Sequence, residues 1–103
     1  MAEKEYIIPY REDVRKRHYH ATSKGKVLRF MVQLEVKVER EWREAVRYDC
    51  AHGYAHRDSY DLKGTHKKED LNLRFKDALN LADEDIDDNW EVYKEHFLEG
   101  EMP

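Results

Sequence analysis

Between Val27 and Val38 the chain alternates: Leu28, Phe30, Val32, Leu34, Val36 and Val38 share one parity, and Arg29, Gln33, Glu35 and Lys37 fill the other, with Met31 the exception. Period two over this length predicts a half-buried β-strand. Glu39-Arg40-Glu41 interrupts the pattern, which resumes with Trp42, Val46, Tyr48 and Cys50 against Arg43, Arg47 and Asp49. A third strand is predicted from about Ala55 to Leu62, ended by Lys63-Gly64. Beyond Lys68 the period lengthens, and Leu71, Phe75, Ala78, Leu79, Ala82, Ile86, Trp90, Tyr93 and Phe97 recur at helical steps. Asp83-Glu84-Asp85 either opens a second helix, with acids in its first turn, or lies on the solvated side of a single one; Gly100 is a helix stop. Residues 1–26 lack sustained alternation and offer at most a short edge strand at Tyr6-Ile7-Ile8-Pro9-Tyr10, before a turn at Ser23-Lys24-Gly25.

The expected architecture is a single α+β domain over residues 1–103. It has an irregular N-terminal segment at 1–26, an antiparallel three- or four-stranded meander sheet at 27–62, and one or two C-terminal helices over 69–99 packed on the even-numbered face. Parity also predicts a register, because opposed residues point to the same face. The first hairpin sets Val38 against Trp42, Leu34 against Val46, Val32 against Tyr48 and Phe30 against Cys50. A three-residue loop at Gly53-Tyr54-Ala55 sets His52 against His56, Tyr48 against Tyr60, Val46 against Leu62 and Arg47 against Asp61.

Composition narrows the class. The chain has 103 residues, 41% of them charged, yet enough Trp, Tyr, Phe, Val and Leu to exclude a disordered polymer. Neither a membrane-length apolar run nor a signal-peptide layout is present, so the expected location is cytoplasmic, without membrane contact. One cysteine excludes an internal disulfide and a cysteine-based zinc cage. The net charge of −4 conceals an asymmetry. Residues 1–68 hold sixteen Lys and Arg against eleven acids, a net of +5, together with five of the six histidines; residues 69–103 hold three bases against twelve acids, a net of −9. The sheet is therefore basic and its helical cover acidic.

Ionisable groups concentrate between Arg47 and Asp58. In the expected register His52 and His56 are cross-strand neighbours, placed to act as acid and base or simply as polar hairpin residues. Arg29, Arg47 and Arg57 on the odd-numbered face, followed by Lys63, Lys67 and Lys68, make RNA the favoured ligand, with Tyr19, Tyr54 and Tyr60 available for stacking. The competing reading is a solvated sheet face. His18-x-His20 with Asp49, Asp58 and Asp61 offers metal donors, but no closed four-ligand spacing exists, so no metal is expected. Glycines 25, 53, 64 and 100 form neither a Walker loop nor a dinucleotide fingerprint, and no cofactor is expected. Cys50, on the face of Phe30 and Val46, reads as a core residue.

Arg47-Tyr48-Asp49-x-Ala51-His52, His56-Arg57-Asp58, His66-Lys67-Lys68 and Ala82-x-x-x-Ile86-x-x-Asn89-Trp90-x-x-Tyr93 together resemble small prokaryotic domains similar to the TumE-type toxins of toxin–antitoxin pairs, over residues 27–98. That resemblance implies a nuclease-type role on RNA, with Tyr48, Asp49, His52, His56 and His66 at the positions of interest. The leading expectation is a toxin-like domain that binds RNA or cleaves it without a metal, His52 and His56 exchanging protons while Arg47 and Arg57 neutralise phosphate. The alternative is a non-catalytic interaction module that pairs with a cognate protein partner or with itself as a homodimer.

Overall fold

A computed structural model describes residues 1–103. Six strands run in chain order across one antiparallel sheet: β1 (Ala2–Arg11), β2 (Val14–Ser23), β3 (Lys26–Val38), β4 (Glu41–Asp49), β5 (His56–Tyr60) and β6 (His66–Asp70). A single helix, α1 (Phe75–Leu98), packs chiefly against β3 and β4. The α+β class and the meander order stand as expected. The strand count is corrected from three or four to six, and the N-terminal segment is a ten-residue hairpin pair rather than irregular chain.

Those strands escape the hydrophobic pattern for a physical reason. The inward positions of β2 are Val14, Lys16, His18 and His20, so its alternation is polar on both faces. Lys16 is nonetheless 2% exposed, because α1 supplies counter-charges: its ammonium lies 2.8 Å from Asp87 and 3.1 Å from Asp83. Asp83 also meets His18 Nδ1 at 3.0 Å, and the Tyr10 hydroxyl donates to Asp87. β6 carries five exposed polar residues and shows no alternation either.

α1 is one helix because Asp83, Asp85 and Asp87 flank its apolar stripe instead of opening a new first turn. Ala78, Leu79, Ala82, Ile86 and Phe97 are buried against Phe30, Val32, Leu34, Val36 and Val46. On the opposite flank from Lys16, Asp85 accepts hydrogen bonds from Tyr48 and Tyr93, both at 2.6 Å. Gly100, at φ +83°, ends the helix as expected: its N–H reaches Phe97 O, and the next N–H, from Glu101, reaches His96 O.

Two registers depart from the parity argument. In the β3–β4 hairpin Leu34 opposes Val46 and Val32 opposes Tyr48 as expected, but a bulge at Ala45 shifts the remainder, so Trp42 opposes Lys37 rather than Val38. Glu39 and Arg40 both take positive φ in a two-residue turn, and Trp42 moves to the face away from α1, where the Arg15 guanidinium covers its ring at 3.9 Å. Between β4 and β5 the shift is larger. Asp49 opposes His56, Tyr48 opposes Arg57, Arg47 opposes Asp58 and Val46 opposes Ser59, three residues from the expected register. The connection is a six-residue loop of residues 50–55, with Gly53 at φ +88° bonding back to Cys50 O. An odd-numbered slip turns every β5 side chain over, moving His56 to the open face and Arg57 beneath the helix.

Phe97→Ala is expected to cost about 3–5 kcal/mol in urea unfolding, whereas Leu98→Ala, at a 42% exposed position, stays within about 0.5 kcal/mol; equal effects would contradict this packing. Hydrogen bonds from His18 and Lys16 outweigh the effect of burial and hold the Asp83 carboxyl below its ordinary value, while Asp87 and Asp83 hold the Lys16 ammonium above its own despite desolvation. The Asp83 contribution to stability is therefore complete above about pH 4 and lost as pH falls through its folded value; that of Lys16 is complete below about pH 10.4 and lost as pH rises beyond it. Lys16→Met should cost about 1–3 kcal/mol at pH 7, less than a fully buried pair because Asp83 and Asp87 reach water, and should flatten both limbs of the stability–pH profile.

Candidate functional site

The face away from α1 carries two adjacent rows of side chains set by the register. One runs Arg17, Gln33, Arg47, Asp58, Lys68 from β2 to β6; the next runs Tyr19, Met31, Asp49, His56, Asp70. Where the rows meet on β4 and β5, a cleft of about 280 Å³ opens, lined by Arg47, Asp49, His52, His56, Asp58 and His66 among others, with Tyr60 and Lys68 at its sides.

His56 forms the floor at 2% exposure, with Asp49 and Asp58 buried beside it. Its Nε2 lies 2.5 Å from Asp49 Oδ1 and its Nδ1 3.3 Å from Asp58 Oδ2. Neither ring nitrogen makes a hydrogen bond, because the carboxylate oxygens lie off the directions in which the ring N–H groups point. Both carboxylates are fixed by further bonds. Arg47 Nε donates to Asp49 Oδ2 at 2.5 Å, the Ala51 N–H donates to Asp49 Oδ1 at 3.1 Å, and Asp58 Oδ1 meets His66 Nε2 at 3.0 Å. His66 stacks on Tyr60 with ring centroids 4.7 Å apart. Burial, with Glu44 and Asp58 nearby, pushes the Tyr60 hydroxyl up to about 12, so it stays a neutral donor near pH 7.

The two expected histidines do come together, by a different route: His52 lies in the 50–55 loop and stacks on His56 at 5.7 Å instead of pairing across strands. Arg47 shares their face and lines the same cleft. Lys68 also lines it, whereas Lys67 points to the opposite face and Lys63 sits in the β5–β6 turn. Arg29 lies on the cleft's face, near the loop end of β3, bound to Glu3 and Tyr19. Arg57 is the correction. The register slip turns it, half-buried, toward α1, where it donates to Tyr48 and Ser59 and lies over the Tyr93 ring, away from the open face.

Parity reasoning missed the placement of Asp58 between His56 and His66, because the slip alone turns it toward the histidines. It also missed Glu35, a buried carboxylate gripped by Arg15 at 2.6 Å, Arg17 at 3.1 Å and Gln33 at 2.6 Å, bonds that outweigh desolvation and hold it below its ordinary value. That cluster takes two open-face cations out of play. Cys50 keeps its expected place: its sulfur accepts from the Phe30 N–H at 3.4 Å, and burial pushes the thiol up.

Fold and site together define an α+β protein of a six-stranded meander and one helix, with a histidine–aspartate cleft on the uncovered face. The chain belongs to the family described as Domain of unknown function (DUF7718), whose model matches residues 1–103. Searches of curated proteins and of solved structures gave no match. The family description carries no toxin or RNA-binding assignment, and none of these findings supports the TumE-type resemblance. No helix is long and apolar enough to cross a membrane.

Cys50 should label with a thiol reagent stoichiometrically only after unfolding; native labelling at the rate of a free thiol would contradict its burial.

Proposed function

We propose that the protein binds single-stranded RNA at the open-face cleft. The observation that carries this reading is the convergence there of Arg47 and Lys68 with His52 and His66, the last stacked on Tyr60. Cationic groups neutralise phosphate, and flat rings at a cleft rim give unpaired bases a surface to stack on. The chemistry open to the cleft differs from a free His52–His56 acid–base pair. His56 is buried with a carboxylate beside each nitrogen, so the imidazoles within reach of a ligand are His52 and His66, and His56 acts from the floor. Any phosphodiester cleavage would therefore use His66 or His52 at the rim, with Arg47 holding phosphate.

One observation favours a second reading, an interaction module. β1 is a ten-residue edge strand pairing only with β2, and its Ile7 and Ile8 are 42% and 38% exposed. Self-pairing along that edge would give a dimer by strand addition.

Fluorescence anisotropy with a labelled single-stranded RNA, run in EDTA at several salt concentrations, separates the two. The RNA reading expects affinity that falls with salt, and expects Lys68→Ala to reduce the log–log slope by about 0.7 while Lys67→Ala, on the opposite face, has no such effect. Salt-independent or absent binding, combined with a concentration-dependent dimer in light scattering, overturns it in favour of the interaction module.

A further inference from the structure

Asp49, His56 and Asp58 form a buried cluster at the floor of the cleft. All three are at most 5% exposed, and one donor atom from each lies within 4.8 Å of the others. Two carboxylates and an imidazole buried together ordinarily resolve into aligned hydrogen bonds, since an unpaired polar group in a protein interior is costly. Here the distances are short but the alignment is wrong, and both nitrogens of His56 remain without a partner. Each residue offers one donor atom within 4.8 Å of the others, and because Asp49 lies against Nε2 and Asp58 against Nδ1, an ion would take one ring nitrogen with both carboxylates turned toward it.

We propose that Asp49, His56 and Asp58 bind a divalent transition-metal ion, of the zinc or manganese class. The donor set selects that class: an imidazole disfavours magnesium and calcium, and the absence of a thiolate disfavours the soft ions. The contacts outside the cluster have the form expected around such a site. Arg47 and the Ala51 N–H orient Asp49, and His66 orients Asp58, so each carboxylate is held from without and turns an oxygen toward His56. Three protein donors leave coordination positions toward the cleft, where water or a phosphate oxygen can enter between Arg47 and Lys68. The inference deepens the RNA reading and rests on it only for the identity of that entering oxygen; the ion site itself stands on the three donors.

The test is made on the full-length protein after treatment with EDTA and removal of the chelator. Zinc, manganese and cobalt(II) are titrated separately by calorimetry, with cobalt followed also by its visible absorption and manganese by electron paramagnetic resonance. One ion per chain is expected for zinc or manganese, with micromolar or tighter affinity and a raised melting temperature. Asp58→Asn and Asp49→Asn should each weaken binding at least tenfold, while His96→Gln, on α1, leaves it unchanged. Far-UV circular dichroism checks that each aspartate variant keeps its fold, and amide and histidine NMR spectra of the unmodified protein provide an independent readout. Shifts on metal addition should centre on residues 47–58 and on His66. Absence of binding by all three ions below millimolar concentration overturns the proposal, and so does binding that survives both aspartate substitutions or NMR shifts centred on His18 and His20. Metal binding without RNA binding leaves the ion site standing and removes the RNA reading. RNA binding in EDTA with no metal uptake does the reverse.

Discussion

The attachment of α1 to the sheet by acids on both flanks of its apolar stripe is the constraint on which the rest of the molecule depends. Ala78, Ala82 and Ile86 set the helix over β3, but an apolar stripe alone permits sliding and rolling. Asp83 and Asp87 on one flank grip Lys16 and His18, and Asp85 on the other takes Tyr48 and Tyr93, with Arg57 4.0 Å away. These contacts decide which sheet face is covered and, by exclusion, which face is left to carry a cleft. They also pair part of the charge asymmetry within the fold, where Lys16 and His18 meet Asp83 and Asp87 and Arg57 lies near Asp85.

The cleft depends in turn on how β5 is laid beside β4. With Asp49 opposite His56 and Arg47 opposite Asp58, each cross-strand pair on the open face joins unlike groups, and the two pairs are offset so that Asp58 also reaches His66 on β6. No single strand contains the site. β4 supplies one carboxylate and the guanidinium, β5 the imidazole and the other carboxylate, and β6 the rim. A three-residue slip leaves all these residues in the chain and separates them in space.

Much of the fold was legible in the sequence where one face of an element meets hydrocarbon. β3, the even positions of β4 above the bulge, and the stripe of α1 all bury apolar side chains at regular spacing, and periodicity reads that directly. β1, β2 and β6 were not legible. Their inward or edge positions are polar, and the partner that makes Lys16 a buried residue lies about seventy positions away, where no local pattern can register it. The composition of the site was legible as a run of ionisable residues from Arg47 to Asp58, but its assembly was not. Parity excludes an odd shift only where one parity is apolar and the other polar, and β5 offers His, Asp and Tyr on one parity and Arg and Ser on the other. Neither set identifies the covered face without knowledge of Asp85 and Tyr93.

β6 is five exposed residues on the edge of the sheet, joined to the molecule through β5 alone, yet it carries His66 and Lys68 to the cleft. Its local unfolding exposes almost no apolar surface and breaks one ladder, which places it at the low end of the molecule's range of opening free energies. His56 on β5 belongs to the other end, walled in by neighbours on both sides. The rim can thus detach and reseat while His56 stays walled in, and each detachment also releases Asp58 from His66, so that admission of a ligand to the cleft and the setting of Asp58 are governed by the same edge strand.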